Sequence, residues 1–256
     1  MSGRPIVCFV TAGGHHPAII ANALGDTFGP IHVVMEVSES RRAFLSRRAQ
    51  LVGALSILGQ FATMGLVVAM KRLQARRIAA MARELNVQLD LSPEHTVHQI
   101  GSANSEQLVE VVGQIVPDVI LLCGCRLIKA SVLAQFTVPV LNYRAGITPM
   151  YRGMNGGYWA LAQGDAGNFG TTVHLVDAGV DTGAIVGQMH LKPSTRDTLW
   201  THAYRQAAAS RELCAESVQR AVEGTLQALE SAGPSTQWFH PPIWSYVWTG
   251  LRKGVW

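Results

Sequence analysis

Between Leu141 and Gly183 the chain reads LNYRAGITPMYRGMNGGYWALAQGDAGNFGTTVHLVDAGVDTG. Few folds accommodate such a run. The residues from Thr137 to Leu141 suit a strand, which places Asn142 at the strand's C-terminal edge, where open α/β sheets set their ligands. A Gly-Ile-Thr-Pro turn and Tyr151-Arg152-Gly153 follow, then a short helical pattern from Tyr158 to Gln163. Thr171 to Val176 alternates in the manner of a half-buried strand. It enters a tight loop, Asp177 to Gly183, that holds two carboxylates, and Gly183 to Leu191 reads as the strand returning antiparallel. Loops this constrained carry function.

The preceding chain supplies parallel strands. Pro5 to Ala12 reads as a first strand, Gly13-Gly14-His15-His16-Pro17 as the turn into a helix to about Leu24, and Ile31 to Val37 as a second strand. The G-x-G-x-x-G dinucleotide spacing is absent. Val87 to Leu91 suggests a short strand, Glu94 to Asn104 a loop, and Ser105 to Ile115 a helix with Asn104 as its cap. Pro117-Asp118 opens a buried strand to Cys123. Beyond the central stretch, apolar spacing predicts one long helix from about Asp197 to Leu229. The expected fold is a single α/β domain with a mostly parallel sheet, flanking helices and an antiparallel edge hairpin. It spans residues 1–230, with residues 231–256 as an aromatic and basic arm.

One segment departs from that scheme. No charge occurs between Arg48 and Lys71, and Leu51 to Met70 approaches the ~20 apolar residues of a membrane span. Arg41, Arg42, Arg47 and Arg48 precede it; Lys71, Arg72, Arg76 and Arg77 follow. A span would put the first two strands and the rest of the sheet on opposite sides of a bilayer. The segment, about residues 41–80, is therefore expected as a helical insertion that packs internally, forms a homodimer contact, or lies in a membrane interface. The tail from His240 to Trp256 mixes three tryptophans with Arg252 and Lys253, which suits a membrane interface or a wrapped-back arm. Four scattered cysteines give no disulfide framework, and from its first residues, Met1-Ser-Gly-Arg-Pro leading into a strand pattern, no secretory leader is expected. The expected location is the cytoplasm, in contact with the inner membrane surface if the insertion meets lipid. A net charge of +4 suits an anionic ligand or an anionic membrane surface. No motif beyond this weak basicity points to nucleic acid, and no nucleic-acid partner is expected.

The runs Pro117 to Gly124, Leu141 to Gly153 and Thr171 to Gln188 resemble the folate-dependent formyltransferases, a family with methionyl-tRNA, glycinamide ribonucleotide and nucleotide-sugar members. The family pattern is Asn-x-His, a Ser-Leu-Leu-Pro-x-Tyr-Arg-Gly loop, and an Asp in a Leu-Asp-Thr-Gly turn. Asn142 matches the Asn, Thr148 to Gly153 the loop, and Asp181 the Asp; Arg144 stands where the family has His. The resemblance implies formyl transfer from 10-formyltetrahydrofolate to a small-molecule amine, without a metal. An amino sugar, nucleotide- or lipid-linked, is the expected acceptor.

The resemblance also assigns residues. Asn142 would donate to the developing oxyanion, and Asp181 would hold the amine or accept protons. Arg144 cannot act as a base, since its pKa exceeds about 12; it can stabilise an oxyanion or pair bidentately with Asp181. His174 stands nearest to replace the missing imidazole, with structural duty as the other reading, and His16 is a weaker candidate. Cys125, Leu127 and Ile128 match the turn that holds the pterin, with Asp177 counted beside them; Leu127 and Ile128 equally suit ordinary core. Gly13, Gly14, Tyr151 and Arg152 are expected on the substrate side, where Arg152 meets an anion or a helix end. The Arg144 departure also admits altered donor chemistry or a binding protein without turnover.

Overall fold

The computed structural model describes residues 3–37, 54–177, 179–230 and 233–256. Arg41, Arg42, Arg47, Arg48 and the start of the predicted insertion lie outside these residues.

Seven strands form the main sheet, in the order β3-β2-β1-β4-β5-β7-β8. They are β1 (Val7–Thr11), β2 (His32–Glu36), β3 (Thr96–Ile100), β4 (Val119–Leu122), β5 (Val140–Arg144), β7 (Gly170–Leu175) and β8 (Ile185–His190). The first five run parallel, while β7 pairs antiparallel with β5 and β8 antiparallel with β7. The expected parallel sheet with an antiparallel edge hairpin is borne out. Strand order reverses between β1 and β4, which opens a crevice beyond their C-terminal ends.

Alternation along β1 shows how both faces are covered. Val7 and Phe9 join Ile19, Ile20 and Leu24 of α1 (His15–Phe28), while Cys8 and Val10 join Leu108 and Val112 of α4 (Glu106–Ile115). Between these helices in sequence stand α2 (Ala54–Leu73) and α3 (Ala75–Glu84), and α5 (Ala130–Leu133) follows β4. Short α6 (Gly156–Ala162) meets Trp200 and Tyr246 in a third cluster, against which Leu66 and Met70 of α2 pack. Tyr246 belongs to α9 (Ile243–Lys253), which packs on α2. Before α9, the two-residue strand β9 (Gln237–Trp238) pairs with β6 (Arg152–Gly153). Among the described residues no helix is long and apolar enough to cross a membrane.

Several local expectations are corrected. Val87 to Leu91 is not a strand; its leucines and valine pack beneath the core, and the edge strand is β3, inside the expected loop. β3 escaped notice because an exposed edge tolerates the polar sequence Thr-Val-His-Gln-Ile. Asn104 does not cap α4, because its amide bonds Leu127 O and the Lys129 N–H. The long helix splits into α7 (His202–Ala209) and α8 (Arg211–Val222) at buried Ser210, whose hydroxyl bonds Thr171 and Gln206. Leu229 lies beyond both helices, bridged to Ile185. β5 begins later than predicted and continues through Arg144, so Asn142 sits within the strand.

The loop between β5 and α6 closes through a backbone contact between two glycines. A Cβ at Gly146 would lie 2.8 Å from Tyr151 O and 2.9 Å from the Gly156 Cα. Neither atom is a flexible side-chain end, so Gly146→Ala is expected to lower stability by about 1–3 kcal/mol. Urea unfolding followed by circular dichroism checks this, with Gly113→Ala, at an open position, as the control.

Candidate active site

Strand geometry assembles the site. Asn142 and Arg144 share one face of β5 because side chains alternate, and register sets His174 of β7 directly opposite Asn142. The β7–β8 connection returns Asp181 to the same point at a left-handed φ of 53°. A non-glycine residue held there is strained, a state that surrounding contacts must maintain.

Those contacts converge on the carboxylate. Asp181 Oδ2 accepts the Gly153 N–H at 2.8 Å and pairs with Arg144 Nη2 at 3.0 Å. Asp181 Oδ1 accepts from Asn142 Nδ2 at 3.3 Å and lies 3.6 Å from His174 Nε2. Arg144 meets Asp181 through one nitrogen rather than bidentately, since the same nitrogen donates to Gly153 O. Burial pushes the Asp181 carboxyl upward, but the Arg144 guanidinium, His174 and the Gly153 N–H outweigh it, and the net shift is downward. His174 Nδ1–H donates to Leu175 O at 2.7 Å, which leaves Nε2 to accept from Asn142 Nδ2 at 3.1 Å. The imidazole is buried, with Nε2 facing both the carboxamide and the carboxylate.

The other candidates fall into two groups. Arg152 donates to Val180 O at 2.6 Å and so braces the loop carrying Asp181, rather than meeting a helix end. Tyr151 turns its hydroxyl to Asp165 at 2.8 Å and its ring toward Trp238, which makes it a wall of the 148–153 loop. Asp177 accepts from the Thr182 hydroxyl and the Gly179 N–H and shapes the turn. At the end of β4, Cys125 has its thiol pushed up to about 12 by burial, Ile128 is core, and Leu127 is 52% exposed. This turn is fastened by Glu36, a buried carboxylate accepting the Arg126 and Ala103 N–H groups at 2.7 and 2.8 Å. Across the crevice, Gly13 and Gly14 take φ of 83° and 104°. The Gly13 N–H is occupied by Thr11 Oγ1.

Sequence reasoning missed Lys71 and His202 and underweighted His16. Half-buried His16 follows the first turn, with its ring beside Gly124 at the end of β4. Burial, reinforced by Lys71, His202 and Arg144, pushes its pKa down to about 3. His202, buried and bonded to Gln206 at 2.6 Å, is pushed down to about 4, chiefly by burial. Both rings are therefore neutral at neutral pH, and Lys71 and Arg144 supply the positive charge. The Lys71 amine lies 5.5 Å over the Tyr204 ring, and desolvation lowers its pKa. A lysine near the end of an insertion helix carries no motif by which to place it here.

Because the Asp181 pKa is lowered on folding, its contribution to stability is complete above the ordinary carboxylate value of about 3.9 and is lost as pH falls through the lowered value. Asp181→Asn removes that contribution and leaves Arg144 without its carboxylate. The variant is expected to unfold earlier than wild type at neutral pH, with the gap in Tm narrowing in strong acid. Thermal denaturation across that range checks both parts.

A family model described as Formyl transferase matches residues 6–218. A methionyl-tRNA formyltransferase of Koribacter versatilis is 32% identical over 127 residues, 49% of this chain and 40% of that protein. A GDP-perosamine N-formyltransferase of Brucella melitensis is 32% identical over 108 residues, 42% of this chain and 41% of that protein. The matched stretches thus span about two fifths of these curated relatives. Among solved structures, glycinamide ribonucleotide transformylase 1 from Symbiobacterium toebii superposes with a TM-score of 0.56 at 20% identity, covering 87% of this chain and 90% of that one.

Proposed function

The chain belongs to the formyl transferase family, and from that premise we propose that it transfers a formyl group from 10-formyltetrahydrofolate to the amine of an amino sugar, nucleotide- or lipid-linked. The observation carrying this reading is the convergence of Asn142, Arg144, His174 and Asp181 within 3.6 Å contacts at one end of the sheet. The reading is supported because hydrogen-bond donors, a ring nitrogen and an anion stand together there, the groups that an attack of an amine on a carbonyl requires.

The residues present fit the donor. Leu127 offers an exposed apolar wall one strand away from Asn142, and the adjoining backbone is held in place by Glu36 and Asn104. The folate donor supplies the formyl group when bound. Asn142 Nδ2 holds two acceptors, and the 3.3 Å bond to Asp181 is the weaker; that N–H turns to the formyl oxygen. Arg144, anchored on Asp181 and Gly153 O, sets a fixed positive charge beside the same point. In the transfer the acceptor amine would take the formyl carbon as the bond from that carbon to the donor nitrogen breaks; His174 Nε2 would accept the amine proton and return it to the departing donor nitrogen, with Asp181 balancing the imidazolium in between. The motif histidine's task is thereby divided: electrostatic support falls to Arg144, and proton acceptance to His174 on the neighbouring strand. Asp181 itself is a poor base because its lone pairs are already satisfied and its pKa is lowered. The amino-sugar acceptor is supported by the GDP-perosamine relative and by Lys71, a cation suited to the phosphate of a nucleotide or lipid carrier.

Radiolabelled formyl transfer to a panel of nucleotide-linked and lipid-linked amino sugars tests the reading. Asn142→Ala is expected to lower kcat by about 10²–10³ with donor binding retained. His174→Asn should lower it by about 10²–10⁴ and flatten the acid limb of the pH profile. Arg144→His should also lose activity, because the substitution frees the Gly153 carbonyl and Asp181 together. Donor binding without transfer to any amine would replace the transferase with a binding protein. Wild-type kcat and pH profile in His174→Asn would remove His174 from proton transfer.

A further inference from the structure

Helices α2 and α9 pack against each other so closely that a Cβ at Gly59 would lie 2.4 Å from the Trp244 ring. Their outer sides remain apolar and uncovered among the described residues. Leu55, Leu58 and Val68 on α2 and Trp244, Trp248 and Leu251 on α9 are all exposed, Leu58 at 69% and Leu251 at 72%. An exposed surface of this make-up needs a partner, since single exposed apolar residues are ordinary but adjoining stripes on two packed helices are not.

Charge identifies that partner. Neither helix contains an aspartate or glutamate. Lys71 is turned to Tyr204, and Lys253 donates to Ala162 O, so both are engaged. Arg72 of α2 and Arg252 of α9 are exposed, and the Arg252 guanidinium lies 4.3 Å over the Trp248 ring. A second copy of the chain meeting this face by a twofold axis would set these cations against themselves without carboxylates. Anionic lipid headgroups supply the opposite charge, and indole rings favour the level between headgroup and acyl chain. Beside the face, α2, α3 and α9 bound a cleft of about 800 Å³ whose walls include Leu66, Met70, Tyr246 and Trp256. Trp200 Nε1 and Tyr246 Oη are buried in its lining with no hydrogen-bond partner among the described residues.

We propose that the α2–α9 face docks the protein on an anionic lipid surface, with both helices lying in the interfacial plane. α2 then links the docked face to the candidate site through Lys71, and substrates carried on lipid would arrive beside that residue. The docking stands independently of the transfer reaction and needs neither donor nor acceptor to be observed.

The test is sedimentation of the full chain with vesicles of phosphatidylcholine alone or mixed with phosphatidylglycerol, at low and high salt. Binding is expected only to the phosphatidylglycerol vesicles, weakening as salt rises, with a blue shift of tryptophan emission. Leu58→Glu combined with Leu251→Glu changes exposed positions only and should lower binding at least ~tenfold, or about 1.4 kcal/mol, with the unfolding temperature unchanged. Arg72→Glu with Arg252→Glu should do the same while leaving the apolar stripes intact. Equal binding to neutral vesicles, binding insensitive to both double variants, or no vesicle binding would each overturn the proposal. A dimer in light scattering that Leu58→Glu with Leu251→Glu dissociates, without vesicle binding, would give the face to a second copy.

Discussion

The Asp181 carboxylate gathers residues from three places in the chain, the paired strands β5 and β7 and the loop through Gly153. Arg144 and Asn142 reach it from β5, His174 from β7, and the Gly153 N–H from the loop paired with the C-terminal arm. A buried carboxylate is costly unless its lone pairs are satisfied, so withdrawing the Arg144, Asn142 or Gly153 donor would leave Asp181 to bear that cost. Its left-handed backbone is held by the same contacts, supported by the Arg152 bond to Val180 O. Charge and strain at this residue therefore fix the relative positions of the groups from which chemistry can be built.

A second buried carboxylate performs a parallel task on the far side of the crevice. Glu36 ends β2 and accepts N–H groups from Ala103 and Arg126, fixing the turn after β4. The sheet thus ends in two anchored loops, one on each side of the strand-order reversal, with the His16 turn between them. Neutral His16 and His202 let Lys71 sit nearby without a cluster of three positive charges. A bound anion would favour protonation of either ring, so occupancy and protonation are coupled there.

Most of the fold was legible because its strands carry strong patterns. β1, β4 and the β7–β8 hairpin are marked by apolar runs or alternation, and the motif on β5 points to the sheet end that holds the site. β3 was not legible, since an edge strand need not be apolar, and neither was the break at Ser210, where the hydroxyl bonds Thr171 from a distant part of the chain. Asn142, Arg144, His174 and Asp181 could be named from the sequence, whereas the single-nitrogen Arg144–Asp181 contact depends on a carbonyl of Gly153 competing for the same group. Lys71 and Glu36 left no local signal, because each acts on residues distant in the chain.

The C-terminal arm has consequences for the site that its composition did not announce. Thr236 O, just before β9, accepts the Arg152 N–H, and Trp238 O of β9 accepts the Met154 N–H just beyond Gly153. Trp238 stacks on Trp159 at 4.5 Å and lies 6.0 Å from Tyr151, while its indole N–H donates to Met150 O. The loop that presents the Gly153 N–H to Asp181 is thus framed by residues that lead directly into α9. A Cβ at Gly153 would lie 2.3 Å from Trp238 O, so the strand pair has no room for a side chain at that position. One route by which a displacement of α9 reaches the donor on Asp181 runs through β9, a short run of covalent and hydrogen-bonded structure between the exposed apolar face and the carboxylate.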